Sequence, residues 1–323
     1  MYYPLIRGRQ YDLLALRELI TRDLLSKRIM PIIEPIKISP TLVSTIKCFE
    51  EREKKIIVVT NPKVGAMKEE LSVEKIYIQY REMINSNAVI IGHHMNKQSE
   101  TQIGANLDEF KITLGDIAII HSDRNLIDLY KQIYKDNGLL HSPCINVVPQ
   151  DSSYRRKLNG EKLVILEDKF NKLSRNADYA DCEHEFFSEE HLYFSVDGYI
   201  GYSDYSIVGA DYNEAGFAPY AVAIHIVFPN DENALEIMHF VSDSNEDTSD
   251  PAGKFSEALG KMITWLDERN FNEIMSTYAI SVFRQHYEDG TYPGLPTLKK
   301  LSIMHHLELV GKILDRIEEN TKG

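Results

Sequence analysis

Eight short apolar runs punctuate the chain: Met30 to Ile36, Ile56 to Thr60, Ala88 to Gly92, Ile117 to Ile120, Ile145 to Val148, Leu163 to Leu166, Tyr199 to Tyr202 and Ala221 to Phe228. They are continuous rather than alternating, the pattern of strands covered on both faces of a parallel sheet. Stretches of helical character separate several of them, at Tyr11 to Ser26, Ser72 to Met83, Asn125 to Lys135 and Cys182 to Leu192. Strand alternating with helix predicts an α/β fold. Eight such strands predict a closed TIM-like (β/α)8 barrel, because closure removes the unpaired edges of an open sheet. Two spacings strain that reading: Gln150 to Leu163 is short for a crossover helix, and Asn171 to Gly198 is long. The eighth run is followed by Pro229-Asn230-Asp231-Glu232-Asn233 and then by Leu235 to Val241, which predicts an antiparallel hairpin there. A distorted barrel, or an open α/β sheet with an antiparallel addition, is the alternative.

The polar segment from Ser242 to Pro251 is the clearest break in the pattern. Beyond it the periodicity is helical, through Lys254 to Glu268, Asn272 to Tyr287 and Thr297 to Glu319. The expected organisation is a barrel over residues 1–241 and a helical C-terminal region over 242–323 packed on it. A single barrel commonly takes up about 250 residues, so the length needs no second large domain.

In a barrel, the loops after the strands open on one face, so residues distant in sequence converge there. The runs here end in chemistry-bearing residues: Glu34 and Lys37, Asn61, His93 and His94, His121 with Asp123, Gln150 and Asp151, Glu167 with Asp168, and Asp204. We read them as the rim of a polar ligand-binding cavity, with Arg7, Arg9, Glu34, Lys37, Asn61, His93 and Asp204 as binding residues. His121, Asp123 and Glu167 are the catalytic candidates. The alternative reading is a metal-dependent phosphoester hydrolase with a divalent cation on Glu34, His121, Asp123 and Asp204. Carboxylates and imidazoles suit such ions, and a bound metal polarises a phosphoryl oxygen and activates water. Alternation along an extended chain lets one of His93 and His94 face inward, and at most one of Glu167 and Asp168. His121 and Asp123 share a side, where a structural clamp competes with a catalytic pair. A further reading is an anion pocket of Arg7, Arg9, Lys37 and Lys63; Arg7 is equally placed to bridge Glu34.

Composition narrows the classes. With 49 acidic and 36 basic residues the net charge is −13, which argues against broad nucleic-acid binding. The three cysteines, Cys48, Cys144 and Cys182, form no metal or disulfide spacing. No apolar run approaches the roughly 18 residues of a membrane span, and the expected compartment is the cytoplasm. Neither a dinucleotide fingerprint nor a phosphate-binding Gly-Lys loop is present, so no nucleotide cofactor is expected. The competing class is an interaction protein, in which the Tyr-rich section from Tyr199 to Tyr220 and a helix face with Met304, His305 and His306 meet a partner.

Longer words of the sequence resemble a known family. They are Tyr2-Tyr3-Pro4-Leu5-Ile6-Arg7-Gly8-Arg9-Gln10-Tyr11-Asp12-Leu13-Leu14 with Ile32-Ile33-Glu34-Pro35-Ile36, Gly201-Tyr202-Ser203-Asp204-Tyr205, Gly216-Phe217-Ala218-Pro219-Tyr220 and Gly294-Leu295-Pro296-Thr297-Leu298. In these the chain resembles the "beta protein" family of bacteria and phages. The resemblance implies a gene carried with phages or mobile elements, and with it a role in phage–host conflict such as antiviral defence. It brings no catalytic set with it.

Overall fold

The computed structural model describes residues 1–136, 139–213, 219–269, 271 and 273–322. The chain opens with β1 (Leu5–Arg7), α1 (Gln10–Thr21), β2 (Ile32–Glu34), α2 (Pro40–Glu51), β3 (Ile56–Val59), α3 (Met67–Glu70), α4 (Glu74–Ile84), β4 (Val89–His94), α5 (Ser99–Phe110), β5 (Ile117–Ile120) and α6 (Ile127–Ile133). A short ladder of β6 (Lys135–Asp136) with β7 (Leu139–Leu140) leads to β8 (Ile145–Pro149), α7 (Ser152–Lys157) and β9 (Leu163–Glu167). Then come β10 (His184–Ser188), α8 (Glu190–Tyr193), β11 (Gly201–Asp204), β12 (Ala223–Pro229) and β13 (Leu235–Val241). The helices α9 (Pro251–Glu268), α10 (Tyr278–Asp289) and α11 (Leu295–Lys322) follow.

Eight strands form one parallel sheet in the order β1-β2-β3-β4-β5-β8-β9-β11. Most of its Ile and Val side chains are buried, and every residue of β3 and β5 is buried on both faces, which is why these strands read as unbroken apolar runs. The sheet curls until its edges meet. Tyr3 N–H donates to the Tyr202 carbonyl at 2.8 Å, Tyr202 N–H to the Met1 carbonyl at 3.1 Å, and the Tyr2 and Tyr202 rings stack at 4.8 Å. Gly201 permits this approach, since a Cβ there would lie 2.5 Å from the Met1 carbonyl oxygen. The result is the TIM-like α/β barrel expected from the sequence.

Two assignments change. The eighth barrel strand is Leu5–Arg7, three residues long and too short to stand out as a run. The run Ala221 to Phe228 instead contributes β12 to a separate antiparallel sheet, β10-β13-β12. It reads like a barrel strand because this sheet too is covered on both faces. On one face Phe228 and Phe240 pack edge-on against Trp265 of α9, at 5.0 and 5.4 Å. On the other, Phe187 meets His306 of α11 at 5.2 Å. The second change is Cys182 to Leu192, expected as helix. Pairing of His184–Ser188 with β13 makes its middle a strand and leaves helix only from Glu190, and tertiary pairing overrides local preference here.

By its contacts the chain falls into two compact units. The first comprises Met1–Leu13, Ile29–Glu167 and Tyr193–Asp204; the second comprises Leu14–Arg28, Asp168–Leu192 and Tyr205–Gly323. The antiparallel sheet thus groups with the C-terminal helices, a grouping that the polar break at Ser242 does not mark. Within the second unit, Glu18 pairs with Lys300 at 2.7 Å, Ser26 donates to Asp315 at 2.8 Å, and Arg28 pairs with Glu318. Met304, His305 and His306 are fully buried in this unit, so they form its core rather than a face for a partner.

Among the described residues, no helix is long and apolar enough to cross a membrane.

Candidate functional site at the barrel mouth

Parallel register carries one set of side chains to the same end of successive strands. Arg7 ends β1 opposite Glu34, which ends β2, and His94 ends β4 beside Ile120 of β5. Asn61 and Lys63 follow β3, and Ser122 follows β5. Glu34, with no exposed surface, is the hub. Arg7 Nη1 donates to its Oε2, the Lys63 backbone N–H donates to Oε1 at 2.7 Å, and His94 Nε2 stands 3.2 Å from Oε1. The Lys63 ammonium donates to Ser122 Oγ at 2.8 Å. Five consecutive strands therefore supply one cluster.

The loop that brings Lys63 to Glu34 depends on Gly65. Its φ is +79°, and a Cβ would fall 2.2 Å from the Ile36 carbonyl oxygen, to which Ala66 N–H donates at 2.8 Å. Gly65→Ala is expected to cost about 1–3 kcal/mol from the left-handed backbone alone, with the clash adding to it. A urea titration of the variant against the parent measures this; equal midpoints would contradict the close approach.

Three cations, Arg7, Lys63 and Lys68, act on the His94 ring at the mouth. Burial, then Lys63, Arg7 and Lys68, push the His94 imidazole down to about 3, so it is neutral. Burial and the Arg7 guanidinium also lower the Lys63 ammonium. Cations crowd one another here, although the chain as a whole is acidic.

The other strand-end residues take separate places. His93 faces away from His94, its Nε2 2.8 Å from Ser99 Oγ on α5, and burial followed by His94 lowers it to about 3. Asn61 clamps the end of β4: its Nδ2 donates to the His94 carbonyl at 2.9 Å, and its Oδ1 accepts from the His94 N–H at 2.8 Å. His121 turns toward the helices, with Nε2 2.9 Å from Asn146 Oδ1 and its ring beside Tyr130 and Tyr154. Burial pushes it down to about 4. Asn146 in turn donates to Glu161 at 2.7 Å, which also accepts from Tyr130 at 2.5 Å. Asp123 is exposed and caps a turn by accepting from Asn125 N–H at 2.9 Å. Asp204 is buried at the barrel seam and accepts from the Tyr2 hydroxyl at 2.6 Å. Glu167 is half-buried at the end of β9, Arg9 is half-buried, and Lys37 is exposed.

The residues expected to share a metal, Glu34, His121, Asp123 and Asp204, therefore bond to different partners. Among the described residues, no group of three or more His, Cys, Asp and Glu is gathered to hold an ion. Ser122, Gly65 and Lys68 were not read from the sequence as parts of the site. The signal for the first lay in parity: in an extended chain, if His121 faces the helices, its neighbour faces the mouth. Comparison with family models, curated proteins and solved structures found no match to this chain.

Proposed function

We propose that the barrel mouth binds a small phosphorylated ligand through Arg7 and Lys63, with Glu34 holding Arg7 in place and neutral His94 buried beside that carboxylate. The observation that carries this reading is the crowding of cations around one buried carboxylate. Burial first and Arg7 second lower the Lys63 ammonium, and an anion set between Arg7 and Lys63 relieves the second of these. Arginine offers a planar fork to phosphate oxygens and lysine a compact charge. The resemblance noted in the sequence adds a setting, a ligand-sensing role in phage–host conflict. The metal-hydrolase alternative gains no support from side-chain placement, because its proposed ligands are directed to separate partners.

Calorimetric titration with inorganic phosphate and with adenosine monophosphate tests the reading. Binding is expected to weaken with added salt, as for partly exposed charges. Lys63→Ala should weaken it at least about tenfold, equivalent to about 1.4 kcal/mol, and Lys63→Arg should largely preserve it. Absence of binding by the parent protein to both ligands at millimolar concentration would refute the proposal.

A further inference from the structure

The second unit holds a cavity of about 450 Å³ whose lining includes Phe170, Tyr179, Val222, His225 and Lys299. Behind His225 lies a chain of polar groups that runs from the buried His239 outward to the half-buried Glu185 and the exposed Asn171. His225 and His239 are directly opposed across β12 and β13, and their Nδ1 atoms are 2.7 Å apart. His239 Nε2 is 3.1 Å from Glu185 Oε2 on β10, and Glu185 Oε1 accepts from Asn171 Nδ2 at 2.8 Å. Aromatic edges fix both rings: Tyr179 lies 4.7 Å from His225 and 4.6 Å from His239, and Phe170 lies 5.2 Å from His225.

Proton counting gives this chain a direction. A carboxylate only accepts, so His239 Nε2 donates to Glu185. A neutral His239 then has a bare Nδ1, and His225 must donate to it from its own Nδ1. That leaves the lone pair on His225 Nε2, the ring's other nitrogen, on a residue that lines the cavity. We propose that this cavity binds a small apolar acid, such as a phenol, and that His225 takes its proton, with His239 and Glu185 as positioning residues. This site is independent of the barrel mouth.

The transfer balances. The ligand O–H bond breaks as His225 Nε2–H forms, and the His225 Nδ1 proton passes to His239 Nδ1. The resulting imidazolium on His239 lies against the Glu185 carboxylate. The ligand anion remains in a cavity that Lys299 and Lys172 also line. Lys172 meanwhile donates to the Asp211 carbonyl at 2.9 Å. Burial keeps both imidazoles neutral before binding, with His239 and Lys299 adding to the effect at His225 and His184 at His239, while Glu185 opposes it at His239. Phe170, Tyr179 and Val222 provide the apolar wall, and small-molecule sites commonly combine such walls with a few convergent polar groups.

Two measurements on the full chain test the proposal. Long-range ¹H–¹⁵N correlation on histidine-labelled protein at neutral pH should show His225 protonated at Nδ1 and His239 at Nε2; a proton on His225 Nε2 in the free protein would overturn it. The second uses 4-nitrophenol, whose ionised form absorbs visible light, titrated at mildly acidic pH. Saturable binding with at least about a tenfold gain in the phenolate-to-phenol ratio is expected, a shift of one pKa unit. His225→Gln should abolish that gain, and Glu185→Gln, a milder change at a half-buried position, should reduce it. Absence of saturable binding, or binding with the ratio unchanged, refutes the assignment, as does a gain that survives in a folded His225→Gln variant.

Discussion

Acidification to about pH 5 is expected to unfold the protein, above the range in which carboxylates alone take up protons. The cause is a set of buried neutral histidines. Burial, with neighbouring cations or imidazoles at all but His121, lowers His93, His94 and His306 to about 3 and His121 and His305 to about 4. Each has its ring in a defined place: His305 donates from Nε2 to the Val227 carbonyl at 2.7 Å, and His306 Nδ1 is 2.8 Å from Ser206 Oγ. In the unfolded chain the same imidazoles protonate near 6.5. Between that value and about 3–4 the unfolded state holds more protons, so stability is fully present above about pH 6.5 and falls as pH drops through the window. Each histidine contributes a slope of at most about 1.4 kcal/mol per pH unit, and the five together at most roughly 7. Total stabilities of about 5–15 kcal/mol do not survive such a slope for long. Urea midpoints followed by circular dichroism from about pH 7.5 to 4.5 provide the check. A flat profile across that range would show that these histidines are hydrated or protonated in the folded protein.

Glu34→Ala is expected to destabilise the protein by about 3–5 kcal/mol, the usual cost of removing one partner from a buried ion pair. The substitution leaves the Arg7 guanidinium without this carboxylate and removes the acceptor of the Lys63 N–H. Glu34→Gln, which retains an oxygen for that N–H, should cost less. Glu34→Gln also removes the negative charge at the mouth while keeping an oxygen for Arg7 and for the Lys63 N–H, so the reading developed above requires it to bind inorganic phosphate more tightly than the parent while being less stable. Metal ligation by Glu34 would instead make binding and stability fall together. Denaturation and calorimetry on the same preparations distinguish the two.

Much of the barrel was legible because parallel strands covered on both faces leave continuous apolar runs, as at Ile56–Val59 and Ile117–Ile120. What was not legible has physical causes. Leu5–Arg7 is held by partners on both sides, with Leu5 opposite Ile32 and the neighbouring Tyr2 bridged to Tyr202, and so needs no long run of its own. Ala221 to Phe228 looks like a barrel strand because burial between α9 and α11 imposes the same composition. At the site, position was readable and direction was not. Strand ends correctly located His121 and Asp204, yet which side each ring or carboxylate faces depends on register and on partners such as Asn146 and Tyr2. The relay from Glu185 through His239 to His225 was hidden further, since its carboxylate lies in a segment whose local pattern reads as helix.

The seam at Tyr2 and Tyr202 also sets the order in which the molecule can assemble during synthesis. β1 gains β2 as soon as Glu34 has emerged, but its other side waits for a partner that the ribosome adds about 200 residues later, the Tyr2 hydroxyl and its Asp204 acceptor being 202 positions apart. Until then the nascent chain carries an open sheet with two unpaired borders, a template for pairing with other chains. Such intermediates are the forms that chaperones engage, and closure of the ring, a contact of very high sequence separation, is the step at which that demand ends.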